Sequence, residues 1–255
     1  IYTQRDTLSL HDALPISWRG PRRLLLAAVL LGTVWVVANT ARRLDTSARL
    51  ARQAQPLSQQ RPQPRLRLLV VGDSTAVGTG ASGPAQSLVG LIAADHPDWQ
   101  IHNLAANGAK FADVLQQLQR APVGYDQVLV LAGGNDVMRF TGMDELREQL
   151  AQTVALARQR ATRVVLMPCG NVGHAPFFMP PVSWLMGWRS RQLHALVAAL
   201  AQRTGSVYVR LLKPADTDPF VAQPDALNAA DGLHPSDAGY RQWYAELRAQ
   251  GGLPP

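Results

Sequence analysis

Sulfur for cross-linking is almost missing from this chain: among 255 residues there is one cysteine, Cys169. A lone thiol excludes an intramolecular disulfide framework and any zinc site built on paired cysteines. Charge is sparse as well. Asp, Glu, Lys and Arg make up 17% of the residues against 47% hydrophobic, which supplies a buried sheet and argues against disorder over most of the length. Acidic residues are the rarer sign, 18 against 25 Lys and Arg, for a formal charge of +7. A basic stripe would point to nucleic acid, but many of the arginines lie in the N-terminal third, flanking an apolar run and the segment after it. Nucleic acid is therefore not an expected partner.

That apolar run, Leu24 to Ala41, contains no charge and is bracketed by Arg19, Arg22 and Arg23 before it and Arg42 and Arg43 after it. At about 18 residues it just reaches across a bilayer core. The preferred reading is an uncleaved signal anchor over residues 21–43, so that the chain meets a membrane through Leu24–Ala41. A signal peptide cleaved near the small residues Ala38 to Ala41 and a buried core helix are the alternatives. A bacterial-type inner membrane with the globular domain on the periplasmic side is the preferred placement, although arginine on both flanks gives little of the asymmetry that orients a span. Ahead of it, Ile1 to Ser17 resembles translated library-adapter sequence, and residues 1–20 are set aside as a non-native or disordered leader. Behind it, residues 44–64 shift to Arg, Gln, Ala and Pro, with Pro56, Pro62 and Pro64 near the end. They read as a short stalk and linker, or else as an extra helix packed on the domain.

Residues 65–252 carry the globular domain. Compact apolar runs at Leu66–Val71, Trp99–Leu104, Gln127–Ala132, Arg163–Pro168 and Ser206–Leu211 predict five buried strands. Helical spacing fills the intervals at Gln86–Ala94, Lys110–Arg120, Asp144–Arg160 and Arg189–Arg203, with a last helix over Ser236–Gln250. Strict alternation requires crossover connections, hence a mainly parallel sheet covered on both faces: a three-layer α/β/α sandwich. In such folds reactive groups gather beyond the carboxyl ends of the strands, so each candidate should stand just after one.

Three segments meet that test, and a fourth stands before the last helix. Gly72-Asp73-Ser74-Thr75 follows the first strand and puts a hydroxyl at the first turn beyond it, although a serine there is often only a helix cap. Asp231-Gly-Leu-His234-Pro places a carboxylate and an imidazole three residues apart before the last helix, where the acid can fix the imidazole tautomer. Asn103-Leu-Ala-Ala-Asn-Gly108 and Gly133-Gly-Asn135-Asp136 follow two further strands. The N–H groups of Ser74 and Gly108 and the amide of Asn135 are candidate donors to a developing oxyanion.

GDS at Ser74, the glycine Gly108, GGND at Asn135 and DGLHP at His234 occur in the order of the four sequence blocks of the SGNH, or GDSL-type, hydrolases. From Leu66 to about Tyr240 the chain resembles that family. The resemblance implies its flavodoxin-like fold, Ser74 as nucleophile, His234 as base with Asp231 as its acid partner, and Ser74, Gly108 and Asn135 as the oxyanion hole. It implies attack by Ser74 on an ester of a small molecule or lipid and an acyl-enzyme released by water, with no metal and no organic cofactor. Thr75 stands where the name-giving leucine would be.

Rival patterns fit less of the chain. Gly78-Thr-Gly-Ala-Ser-Gly83 is a formal G-x-G-x-x-G with Asp98 about 20 residues further on, as NAD-binding requires. The strand ends at Val71, too early for those glycines to form its turn, and GGND and DGLHP stay unexplained. A metal phosphoesterase using Asp73, Asn135, Asp136, Asp231 and His234 lacks its upstream Asp-x-His. An ordinary α/β-hydrolase lacks its last glycine, since Ala76 stands there. Between Gly170 and Gly187 lies an apolar, proline-rich loop in which Phe177, Phe178 and Trp184 are candidate substrate contacts, or else cover for the sheet edge. His174 reads there as a surface or capping residue. The expected substrates are short to medium acyl, lysophospholipid or aryl esters, with deacetylation of an envelope polysaccharide as the alternative.

Overall fold

The computed structural model describes residues 19–254, so the expected leader lies outside them except for its last two residues. The chain divides into two compact units, one up to Arg42 and one from Arg43 onward. In the first, helix α1 (Arg19–Gln53) begins. Its apolar stretch reaches a mean hydropathy of 2.0 with none of it buried, and the large apolar side chains from Leu24 to Val37 are 38% to 73% exposed. A core helix would bury such a surface, so the core-helix alternative is overturned. What stands is an N-terminal apolar helix long enough to cross a membrane.

In the second unit α1 runs on to Gln53, and the stretch read as stalk and linker lies against the domain. Arg43, Thr46, Ser47, Leu50, Ala51 and Ala54 are half-buried, the spacing of one helix face. Beyond the helix, Gln59 and Ile101 exchange backbone hydrogen bonds of 2.8 Å in each direction. This short antiparallel bridge covers the outer edge of a strand that would otherwise face solvent.

From there strand and helix alternate: β1 (Leu66–Gly72), α2 (Ser74–Val77), α3 (Leu88–Asp95), β2 (Trp99–Asn103), α4 (Phe111–Arg120), β3 (Tyr125–Leu131), α5 (Gly134–Met138), α6 (Met143–Arg160), β4 (Ala161–Leu166), α7 (Val182–Thr204), β5 (Val207–Tyr208), α8 (Pro219–Ala222), α9 (Pro224–Leu227) and α10 (Asp237–Ala249). The five strands lie in the order β2-β1-β3-β4-β5, and every neighbouring pair is parallel. In β1, Leu69 and Val71 join one core with α4, α6 and α7. Leu68 and Val70 face the other, with α3 and α10. The period-two alternation thus divides a continuous apolar run between two buried faces, and the expected three-layer sandwich results.

Among the alternating elements, two expected boundaries differ by three residues or more. Strand β5 is only two residues long, although Val209 still donates to the Leu166 carbonyl at 2.9 Å; as an edge strand it needs no longer ladder. Helix α7 starts at Val182, seven residues before the expected Arg189, so the last third of the expected loop is helix.

Candidate active site

The order of the strands places the site. Chain direction across the sheet reverses between β1 and β3, so the loops leaving those strands diverge and open a crevice at their carboxyl ends. The turn after β1 is fitted closely into that crevice. Gly72 has φ +152°, and a Cβ there would stand 1.9 Å from the Leu131 carbonyl oxygen, so only glycine lets β1 leave beside β3. The buried Gln117 side chain pairs with the same peptide, accepting from Gly72 N–H at 2.8 Å and donating to its carbonyl at 2.9 Å. Asp73 then caps α2, accepting from Thr75 N–H at 2.9 Å and from its hydroxyl at 2.7 Å. Ser74 is the first helical residue, and its N–H has no acceptor among the described residues.

The loop after β2 is tied to this turn. Asn103 donates to the Ala76 carbonyl at 2.9 Å and accepts from Ala105 N–H at 3.0 Å, while Ala106 N–H donates to the Gly72 carbonyl at 3.1 Å. Asn107 accepts from the Thr79 hydroxyl at 2.6 Å and donates to the Ala51 carbonyl of α1 at 2.9 Å. Gly108 follows. After β3, α5 brings in Asn135, one amide hydrogen of which is held by the Ala109 carbonyl at 3.1 Å. The other is free for a ligand.

The final segment folds back on itself before α10. Asn228 and Pro235 form an antiparallel bridge, with Ala229 N–H donating to the His234 carbonyl at 2.8 Å. Inside that loop, one Asp231 oxygen accepts from Leu233 N–H at 2.9 Å and His234 N–H at 3.1 Å. Its other oxygen lies 2.6 Å from His234 Nδ1, and His234 Nε2 lies 2.8 Å from Ser74 Oγ. A carboxylate can only accept, so Nδ1 carries the proton and Nε2 presents its lone pair to the hydroxyl. The three side chains, separated by up to 160 positions in the chain, form one hydrogen-bonded line.

Burial alone would raise the Asp231 carboxyl, but the hydrogen bond and charge of His234 and the two backbone donors together hold it below the ordinary 3.8. Asp73 goes the other way: complete burial raises it, against the opposing hydrogen bonds from Thr75. Asp136, next to Asn135, is pushed up to about 6 by burial, which outweighs its bonds from Phe111 N–H and Thr141. Of these three acids, Asp231 is the one whose ionised form its surroundings favour, and it is the one that touches the imidazole.

Two cavities meet at Ser74 and His234. One is narrow, about 90 Å³, and predominantly apolar, running past Val172, Leu211, Phe220 and Trp243. The other is a broader cleft of about 470 Å³ that takes in Ser74, Gly108, Asn135 and His234 together. Phe177 lines that cleft. Phe178 packs against the core instead, and Trp184, on the first turn of α7, is 69% exposed; neither lines either cavity. Because α7 begins early, Trp184 is turned outward rather than held in a loop over the site. His174 is not a surface residue: its Nδ1 lies 2.6 Å from Asp218 and its Nε2 2.9 Å from the Asn171 amide. Both ring nitrogens are occupied, so His174 braces two loops at the wall of the narrow cavity and offers no lone pair to a substrate.

Two of the three glycines of GTGASG, Gly78 and Gly80, serve packing. A Cβ on Gly80 would stand 2.4 Å from the Pro235 carbonyl oxygen and 2.9 Å from His234 Cβ, so this turn is the bed on which the His234 loop rests. Among the described residues no group of three or more His, Cys, Asp or Glu side chains is arranged to hold a metal ion. Gln117, Asn103, Asn107 and the end of α1 are contributors to the site that motif spacing did not indicate; only Asn103 and Asn107, inside the NLAANG run, carried a signal.

Comparison with known proteins agrees with this architecture. A GDSL-like esterase of Mycobacterium tuberculosis is 28% identical over 187 residues, 69% of this chain and 58% of that protein, so the chain spans less than two thirds of that relative's length. Among solved structures, a lipolytic G-D-S-L family protein from Veillonella parvula aligns with a TM-score of 0.59 at 15% identity, covering 72% of this chain and 96% of its own. An acetylxylan esterase from Geobacillus stearothermophilus aligns with a TM-score of 0.53 at 22% identity, covering 75% and 97%. At these identities the structural likenesses establish the fold alone. The sequence model of the GDSL-like lipase/acylhydrolase family matches residues 70–242, from the end of β1 into α10. With both the sheet and the block order of those hydrolytic enzymes, this chain belongs to the GDSL-like lipase/acylhydrolase family.

Proposed function

We propose that the chain hydrolyses carboxylic esters through an acyl-enzyme on Ser74. The observation that carries this reading is the line from Ser74 Oγ through His234, 2.8 Å, to Asp231, 2.6 Å. In the first half-reaction Ser74 Oγ bonds to the ester carbonyl carbon as its proton passes to His234 Nε2. The tetrahedral oxyanion is met by the N–H groups of Ser74 and Gly108 and the free amide hydrogen of Asn135. Collapse expels the alcohol, which takes the proton from His234, and water then repeats the sequence in reverse to release the acid. Asp231 holds the tautomer and balances the imidazolium.

The narrow apolar cavity favours an unbranched acyl group, short to medium in length, as in aryl esters or lysophospholipids. A second reading, deacetylation of an envelope polysaccharide on the same residues, is favoured by the breadth of the cleft and by the likeness to an acetylxylan esterase. The apolar helix suits an inner-membrane anchor with the catalytic unit in the periplasm.

A fluorophosphonate probe should label the native chain, and Ser74→Ala should abolish both labelling and hydrolysis of nitrophenyl esters. Labelling that survives in Ser74→Ala would exclude Ser74 as the nucleophile. Acyl-length profiling beside acetate release from acetylated polysaccharide separates the two substrate classes.

A further inference from the structure

We propose that the end of α1, Arg43 to Gln53, is a wall of the substrate site and selects the alcohol part of the ester, an inference that rests on the hydrolase reading above. Leu44, Ser47, Ala48 and Ala51 line the same broad cleft as Ser74, Gly108, Asn135 and His234, together with Phe177 and Met138. Spaced i, i+3, i+4 and i+7, the four form one stripe of the helix. The adjoining stripe, through Arg43, Thr46, Leu50 and Ala54, is half-buried on the domain, so the cleft-facing stripe is held in place rather than swinging free.

Two contacts tie this wall to the reacting groups. Asn107, immediately before Gly108, donates to the Ala51 carbonyl at 2.9 Å, a carbonyl in the last turn that has no partner within the helix. Arg43 packs on the loop that holds Asp231 and His234: a Cβ on Gly232 would come 2.6 Å from its Nη1. The side chains on the cleft stripe are small except for Leu44, which gives the cleft its breadth.

The two cavities differ in what they admit. The narrow one is predominantly apolar, with Lys213, Asp218 and Glu246 among its lining, and its small volume suits an acyl chain. The broad one mixes apolar Leu44, Ala48 and Phe177 with Ser47, Asn107 and Arg139, and suits a bulkier alcohol bearing polar groups, such as a polyol or a glycerol headgroup. With the acyl group in the first cavity, the leaving alcohol lies along α1.

The test uses full-length protein in detergent and two series of esters: acetates of alcohols from ethanol to naphthol, and nitrophenyl esters from acetate to octanoate. Ala48→Trp narrows the cleft and should lower kcat/KM for the naphthyl relative to the ethyl ester roughly tenfold. Leu44→Ala widens it and should move the same ratio upward, a change of sign that misfolding would not give. Arg52→Trp, on the exposed side of the helix, should leave the ratio where it was. If fluorophosphonate labels all variants and the alcohol ratio does not move, the wall is overturned while the hydrolase reading stands. If only the acyl series responds, the assignment of the alcohol to this cleft is overturned. If the native chain neither labels nor hydrolyses any ester, both readings fall together.

Discussion

Asp136 is fully buried beside Asn135, and its hydrogen bonds from Phe111 N–H and the Thr141 hydroxyl, each 3.1 Å, do not offset its desolvation. A folded pKa near 6 against an ordinary 3.8 means that the folded chain binds more protons than the unfolded one between those values. Stability from this group is therefore highest below pH 4 and declines as pH rises through 6. At 1.36 kcal/mol per unit, the decline amounts to about 3 kcal/mol. Asp136→Asn has no such dependence, so urea titrations between pH 4 and 7.5 should show the variant gaining on the native chain by about that amount as pH rises. A gap independent of pH would mean that Asp136 is ionised at no cost. Asp231 acts in the opposite sense in both chains, since its depressed carboxyl loses stability only as pH falls below the ordinary range, and it cancels from the comparison. At this scale the motifs were readable because Ser74 and Asn135 each follow a strand within a short block, and Asp231 and His234 share one turn before α10. The pair His174–Asp218 was not, since its partners are 44 positions apart and neither loop has a period.

Among the elements, β1 and α4 share a core, and one side chain adds hydrogen bonds between them. Gln117 occupies the N–H and C=O of Gly72 as a neighbouring strand would, and through them it sets the angle at which Ser74 enters α2. Gln117→Leu keeps the volume and leaves the Gly72 N–H buried without an acceptor, at a cost of about 1–3 kcal/mol. Thermal denaturation should register that loss, and nitrophenyl ester turnover should fall with it because the Ser74 turn is no longer pinned. An unchanged melting temperature would show that water replaces the amide. Strands β1 to β4 were legible because each is an apolar run bounded by turns. The start of α7 was hidden, since Pro180, Pro181 and the aromatic residues around them read as loop chemistry. The inner face of the last turns of α1 was hidden for another reason. Thr46, Ser47, Leu50 and Ala51 include a single large apolar side chain, so the face that docks carries hardly any amphipathic signal.

For the whole molecule, the apolar helix and the catalytic unit are separable in compactness, and their duties should separate too. The intact chain is expected to remain with the membrane pellet after alkaline carbonate extraction. Deleting residues 24–41 should move it to the supernatant with hydrolysis of nitrophenyl esters retained. A deletion variant that stays in the pellet would assign membrane attachment to other surfaces, for instance the exposed Trp184 and Trp188 on α7.

Because α1 runs unbroken from Arg19 to Gln53, the bond at which a peptidase cut it would decide how much of the cleft's flank the remaining body keeps. A cut among Ala38 to Ala41 frees a body that keeps Leu44 to Ala51 beside Ser74, with the same appetite as its tethered parent. If those residues wall the cleft as proposed, a cut past Leu50 would strip most of that flank away and admit more alcohols, so one reading frame would yield two diets according to where it is trimmed.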